Sequence, residues 1–394
     1  MRAIAVLHYP VFGGPHNQFA QLSAPLADAD IDLTVIVPDT PGNAADRLQA
    51  AGARVIRAPL GRLRASADPR RALRFARDFR RDVRTLERII RDEQADLVFV
   101  SGLVNPHAGV AAARANVPVV WQIIDTRTPE PALPAFMAAA RRYSSVFMFW
   151  GDALRRLHTG TRPLVQPYEI FGPAVNAEAI RADAGRGAVL RERHGIPTTG
   201  RLVGTLANVN PQKGVEYFGR AAARIYREVP DAWFVVVGAL YDDHAAYASQ
   251  IEQEVHASGV PPERFVFTGH SEDVGAWLGA FDVKLVTSVP RSEGIPTTVV
   301  ESLAAGTPVV TTDVGAVREA VLDGETGLVV APLDDRAIAA ATIRLLGDRA
   351  LAARFAAAGV EHATRRFSVE ACVSAHSRAA HGAVAAGNPR SRRR

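Results

Sequence analysis

The sequence predicts an α/β protein built from two parallel-sheet domains, and three observations carry that prediction. Short β-branched runs alternate with Ala-rich stretches from end to end, the pattern of βαβ units rather than of a sandwich. At 394 residues, with 48% hydrophobic and 22% charged side chains, the chain exceeds what one ordinary core organises. Between residues 163 and 176 the periodic pattern lapses into a stretch containing Pro and Gly, the place for an interdomain link.

In chain order, the strand candidates of the first set are residues 4–7, 33–37, 97–100, 117–121 and 146–149. The second set comprises 202–206, 234–237, 265–268, 283–287 and 309–312. Two Rossmann-like domains facing a central cleft follow, one over residues 1–170 and one over 199–366, joined by a linker at 171–198. Residues 386–394, ending Ser-Arg-Arg-Arg, read as a basic disordered tail. In open parallel sheets ligands sit beyond the carboxyl ends of the strands, so the loops after the strands are where chemistry is sought.

Composition excludes several classes. No run of 18 apolar residues exists, and the first residues run straight into Phe12-Gly13-Gly14-Pro15 with no leader pattern, so a cytoplasmic protein is expected. A single cysteine, Cys372, excludes an intramolecular disulfide framework and a Cys-based zinc cluster, and reads as an inert helix residue. The net charge of +5 is unevenly spread: the segment 62–91, which opens on Arg62 and closes on Arg91, holds 11 arginines against four carboxylates. After Pro69, residues Ala72, Phe75, Ala76, Phe79, Val83, Leu86 and Ile90 recur at helical spacing, which predicts an amphipathic helix with an arginine face. That face is either a solvated outer surface or a docking site for an anionic membrane or acceptor. No aromatic-interleaved basic groove accompanies it, so nucleic acid is not an expected partner. Only Lys213 and Lys284 are lysines among 46 basic residues.

The most informative stretch runs from Ser292 to Glu319. Glu293 and Glu301 stand eight positions apart, with Gly294 and Pro296 between them opening a helix. One carboxylate thus lies ahead of the helix and the other on its flank. Free N–H groups and the dipole at a helix start suit a phosphate, and carboxylates beside it suit sugar and ribose hydroxyls.

These residues resemble the Glu-x7-Glu signature of the retaining glycosyltransferases of family 4, which have the GT-B fold. The likeness runs along nearly the whole chain: Phe12-Gly-Gly-Pro, Pro173-Ala-Val-Asn, Asn210-Pro-Gln-Lys-Gly, Phe267-Thr-Gly-His with Asp273-Val, and the block ending at Glu319. Arg366-Phe-Ser-Val resembles the start of a C-terminal helix, residues 367–385, that crosses back to the N-terminal domain.

The resemblance implies that Glu293 holds hydroxyls of the donor sugar and Glu301 the ribose, while the N–H groups of Gly294, Ile295, Pro296-flanking backbone, Thr297 and Thr298 meet sugar and phosphate. Lys213 would neutralise the diphosphate leaving group. Gly13 and Gly14 would lie over the donor phosphates, with His16 beside them as an acceptor candidate. Gly269 and His270 resemble the loop contacting the base, and an ordinary surface histidine is the alternative. His107, after Asn105-Pro106, reads equally as a helix-start or surface residue and as an acceptor contact. Lys284, inside an apolar strand, matches no family position and reads as structural.

Two positions depart from the family pattern. Asn208 stands where the family commonly has an Arg paired with the diphosphate. Ile124-Asp125 stands for His-Asp, which leaves Asp125 to orient acceptor or donor and points to a donor lacking a free 6-hydroxyl, a pentose or 6-deoxy sugar. No Asp-x-Asp closes a strand, so no metal and no cofactor beyond the nucleotide-sugar cosubstrate is expected. The expected activity is metal-independent transfer of a hexosyl or pentosyl group from a UDP- or GDP-sugar to a hydroxyl. The alternatives are a catalytically impaired sugar-nucleotide-binding partner protein and an epimerase of the same fold.

Overall fold

A computed structural model describes residues 1–61, 69–124, 128, 132–160 and 163–389, with the backbone alone for residues 69–72, 74 and 75. The chain divides into one unit of residues 1–174 with 369–394 and a second of 175–368.

The first unit runs β1 (Arg2–Val6), α1 (Gly14–Asp28), β2 (Asp32–Pro38), α2 (Ala44–Ala50), β3 (Arg54–Ala58) and α3 (Pro69–Asp92). It continues through β4 (Leu97–Ser101), α4 (Pro106–Arg114), β5 (Val119–Ile123), α5 (Leu133–Tyr143), β6 (Val146–Trp150), α6 (Asp152–Thr159) and β7 (Tyr168–Phe171). All seven strands are parallel, in the order β3-β2-β1-β4-β5-β6-β7. The central strands are buried on both faces, which is why they read as unbroken apolar runs such as Leu97-Val-Phe-Val.

The second unit runs α7 (Ala177–Ala184), α8 (Gly187–Arg193), β8 (Arg201–Leu206), α9 (Val215–Glu228), β9 (Ala232–Val237), α10 (Ala245–Ala257), β10 (Phe265–Gly269) and α11 (Val274–Ala280). It closes with β11 (Val283–Val286), α12 (Thr297–Ala305), β12 (Val309–Thr312), α13 (Val317–Ala320), β13 (Leu328–Val330), α14 (Asp335–Gly347) and α15 (Arg349–Arg366). Its parallel sheet has the order β10-β9-β8-β11-β12-β13. The last helix, α16 (Val369–Ala386), belongs to the first unit and packs on α1, β6 and β7.

Several expectations need correction. The stretch expected to be an unpatterned link carries β7, which pairs with β6, and the expected linker at 171–198 carries α7 and α8, both packed on α11. Gly14 already begins α1, so Gly13-Gly14 is a helix start rather than an open loop. The segment 62–68 and the tail 390–394 lie outside the described residues, whereas Ala386 ends α16 and 387–389 follow it directly. No described helix is long and apolar enough to cross a membrane.

Cys372 lies buried on α16, where burial pushes its thiol up, as an inert helix residue does. One turn on, His376 is enclosed by the rings of Phe19, Phe99 and Phe171. Its Nδ1 donates to the Cys372 carbonyl at 2.8 Å, and its Nε2 faces the Gln122 and Gln18 amides at 2.9 and 3.2 Å. The ring is therefore held neutral: burial lowers its pKa to about 4.

A folded-state value below the ordinary 6.5 means that the unfolded chain takes up the proton first as pH falls. Stability is lost between pH 6.5 and 4, on the order of 3 kcal/mol from this residue. We expect the thermal midpoint to drop over that window in the native chain and to drop less steeply in a His376→Gln variant, followed by calorimetry; equal slopes would refute the assignment.

Candidate functional site

A set of linked polar contacts in the second unit lies where β8, β11 and β12 end. After β8 the chain reaches Asn210, whose side chain accepts from the N–H groups of Gln212 and Lys213 at 3.0 and 3.2 Å and shapes the single turn Pro211–Lys213. Gly214 follows with φ of 60°, and a Cβ there would stand 2.1 Å from the Thr287 carbonyl oxygen. Only glycine allows that turn to press against the end of β11. The Thr287 hydroxyl donates to the Lys213 carbonyl at 3.1 Å, and the Val289 N–H donates to the Gln212 carbonyl at 3.2 Å.

This stapling brings the Lys213 Nζ within 2.5 Å of Glu293 Oε1, across 80 residues of sequence. The same carboxylate oxygen accepts from the Ser288 hydroxyl at 2.8 Å, and Glu293 is buried. The loop after β12 supports the loop carrying Glu293: Ala316 donates its N–H to the Gly294 carbonyl at 3.0 Å, and Thr312 donates its hydroxyl to the Ser288 carbonyl at 2.6 Å. Gly315, with φ of 59°, sits so close that a Cβ would meet the Glu293 carbonyl oxygen at 2.3 Å.

Gly294, Ile295 and Pro296 lead into α12, which begins at Thr297 with Pro296 as a cap and no capping side chain. The positive end of its dipole thus sits immediately after the Glu293 loop. Glu301 lies two turns from Glu293 on the flank of α12, half-buried, and burial raises its pKa while the nearby Lys284 opposes the rise. An ammonium, two carboxylates and a helix start on one sheet edge can hold a group that is both anionic and rich in hydroxyls.

Gly269 closes the edge strand β10 with φ of 75°, and His270 is exposed beside Glu272 at 3.7 Å. Asn208 is committed to the backbone: its side-chain oxygen accepts from the Ala239 N–H at 3.1 Å and its carbonyl from Asn210 at 3.2 Å.

In the first unit His16 is buried on α1, its Nε2 against the Tyr9 carbonyl at 2.9 Å, with a pKa lowered to about 4 by burial. His107, read as a helix-start or surface residue or as an acceptor contact, stands in the first turn of α4 but is buried rather than at the surface, edge-on to Phe79, and burial lowers its pKa to about 4 against the pull of Asp82. The side chain of its neighbour Asn105 donates to the Val6 carbonyl at 3.0 Å rather than capping the helix. Ile124 is half-buried just past β5, and Asp125 lies outside the described residues. Among the described residues no group of three or more His, Cys, Asp or Glu side chains is placed to hold a metal ion.

Sequence reasoning did not single out Ser288, Thr312 or Gly315, although each stands at or after the end of a strand candidate, where ligand loops begin. Lys284, read as structural, turns out to sit directly beneath α12: its Nζ donates to the Thr298 carbonyl at 2.5 Å.

Comparisons with known proteins bear on the family and the fold. Residues 200–348 match the family model described as glycosyl transferases group 1, and residues 13–158 match the glycosyl transferase 4-like domain, together about three quarters of the chain. The chain is 33% identical over 185 residues to the lipopolysaccharide core biosynthesis mannosyltransferase LpcC of Rhizobium leguminosarum bv. viciae, covering 46% of this chain and 52% of the relative. It is 29% identical over 290 residues to the D-inositol 3-phosphate glycosyltransferase of Streptomyces avermitilis, covering 68% of this chain and 61% of the relative. The chain spans about half the length of the curated relatives it matches, 52% and 50% for two lipopolysaccharide core mannosyltransferases. The fold is shared with Anabaena Alr3699/HepE, solved in complex with UDP, at a TM-score of 0.81 and 19% identity, covering 96% of this chain and 99% of that one.

The close approach of Gly315 yields a direct test. Gly315→Ala combines a forbidden contact with a left-handed φ and should cost about 2 kcal/mol of stability, read from denaturant unfolding. A variant as stable as the native chain would contradict the packing of the two loops.

Proposed function

The chain belongs to the family 4 glycosyltransferases of GT-B fold, and from that premise we propose that it transfers a sugar from a UDP- or GDP-sugar to a hydroxyl, with retention of configuration. The acceptor is a glycan, a lipid-linked sugar or a small molecule. The observation that carries this reading is the 2.5 Å pair of Lys213 and Glu293 at the entrance to α12.

On this reading the diphosphate lies against the start of α12 and Lys213, and Glu293 accepts hydrogen bonds from hydroxyls of the donor sugar. Glu301 holds the ribose. The bond from the anomeric carbon to the phosphate oxygen breaks, and the bond to the acceptor oxygen forms on the same face. The acceptor proton passes to the departing phosphate, while Lys213 and the helix dipole stabilise the charge that develops there. Those groups take the part a divalent cation plays elsewhere, so the reaction is metal-independent. Ile124 favours a donor without a free 6-hydroxyl, whereas the mannosyltransferase names among the relatives support a hexose.

A second reading, a sugar-nucleotide-binding partner with impaired catalysis, is favoured by Asn208, whose side chain is tied to the backbone where an arginine is the family's habit. Hydrolysis or transfer of donor by the native chain separates the two. We expect Lys213→Ala and Glu293→Ala each to lower kcat by about a hundredfold or more with the fold intact by circular dichroism. Activity should persist in EDTA. Native turnover in either variant, or a loss in EDTA restored by magnesium or manganese, would contradict the mechanism.

We also propose that α3 docks on an anionic membrane surface. Val83, Leu86 and Ile90 bury its inner face, while Arg80, Arg84 and Arg88 project outward, with no carboxylate within ion-pair distance among the described residues. Each basic group near such a surface contributes about 1 kcal/mol. An Arg80→Glu, Arg84→Glu, Arg88→Glu variant should lose co-sedimentation with phosphatidylglycerol vesicles at low salt; unchanged co-sedimentation would remove the proposal.

A further inference from the structure

The chain uses lysine twice, and both lysines reach the same site. Lys213 pairs with Glu293 from above the helix start, whereas Lys284 approaches from within the sheet. It lies on β11, between β8 and β12, and is completely buried. Its Nζ donates to the Thr298 carbonyl at 2.5 Å, in the first turn of α12, where the Ser302 hydroxyl also donates at 2.6 Å. Thr298 and Glu301 are three residues apart on that helix, so the ammonium lies against the turn that carries both.

A fully buried lysine in the middle of a parallel sheet is costly, and an apolar residue would fill the same space at less expense to stability. The sheet of the first unit illustrates the usual solution: Val98, Val120 and Phe147 occupy its interior. Retention of a charge at 284 therefore calls for an account in terms of what it faces. Burial lowers the Lys284 pKa to about 7, with Glu301 and Glu293 opposing the fall and Lys213 adding to it. Glu301 in turn is raised by burial and pulled down by Lys284. Glu293 and Lys213 are the charged neighbours that bear on this pair.

We propose that Lys284 is a positioning residue for donor binding: it supplies the counter-charge that keeps Glu301 an acceptor for the ribose hydroxyls and fixes the turn of α12 that receives the diphosphate. Lys284 itself touches no substrate. It acts through Glu301 and the Thr298 carbonyl. The inference rests on the donor-site reading above and deepens it, because it assigns the nucleoside end of the site a support that the Glu293 end does not share.

The test is calorimetric titration of the full-length chain with UDP and, separately, GDP, from pH 6 to 9. Lys284→Met removes the charge at nearly constant volume, Lys284→Gln removes the charge but keeps a donor for the Thr298 carbonyl, and Glu301→Gln removes the acceptor. We expect Lys284→Met and Lys284→Gln each to weaken nucleotide binding about tenfold at pH 7, with the loss shrinking toward pH 9 as Lys284 in the native chain gives up its own charge. In the Glu301→Gln background, Lys284→Gln, which keeps a donor for the Thr298 carbonyl, should cost nothing further. Native affinity and pH profile in Lys284→Gln would overturn the inference, as would losses that add in the double variant. A native chain that binds neither nucleotide would overturn the donor-site reading and this inference with it. Binding by the native chain with unaffected variants would overturn the inference alone.

Discussion

The ion pair between Lys213 and Glu293 is the contact on which the organisation of the second unit's sheet edge depends. It joins a single helical turn that follows β8 to an irregular loop that follows β11. The pair is over-determined by its surroundings. Asn210 sets the turn, Gly214 lets it touch the end of β11, Thr287 and Val289 bind it there, and Ser288 supplies a second donor to the carboxylate. Gly315 and Ala316 close the loop from the other side. Such support keeps a cation and an anion at fixed separation while leaving both beside a helix start, which is the arrangement preorganised electrostatic stabilisation requires.

The two carboxylates differ in their partners, and on the proposed donor-site reading that difference fits different work. Glu293 is buried and paired with a lysine and a hydroxyl at the loop level. Glu301 is half-buried on the helix, and its counter-charge comes from within the sheet through Lys284. A carboxylate fixed in a short contact suits the reacting sugar, where geometry decides rate. One balanced across a helix suits recognition, where the charge state decides affinity.

The core strands were legible because parallel strands buried on both faces leave continuous apolar runs, such as Ala232-Trp-Phe-Val-Val-Val in β9. The three strands that escaped, β3, β7 and β13, are all sheet edges. Arg54 and Arg57 flank the apolar residues of β3, Tyr168 and Glu169 open β7, and β13 has only three residues. One side of an edge strand meets water, so its sequence need not be apolar. Glu293 and Glu301 could be placed from spacing because a helix start fixes where they stand, whereas Lys213 was placed by the family resemblance alone. The buried state of His107 could not, because the helix start predicted from Asn105-Pro106 says nothing of Phe79 and Asp82, which come from a different helix. Lys284 was similarly opaque: a charge in an apolar run is visible, but its partner on α12 exists only once β11 and the helix are packed.

The central claim is that the loops joined by Lys213 and Glu293 hold the nucleoside diphosphate of a sugar donor. A crystal structure of the chain grown with UDP or GDP tests this most directly. The account predicts the diphosphate against the first turn of α12 with Lys213 Nζ in hydrogen-bond range of a phosphate oxygen, and the ribose hydroxyls on Glu301. A nucleotide seated elsewhere, with Lys213 and Glu301 untouched, would contradict it.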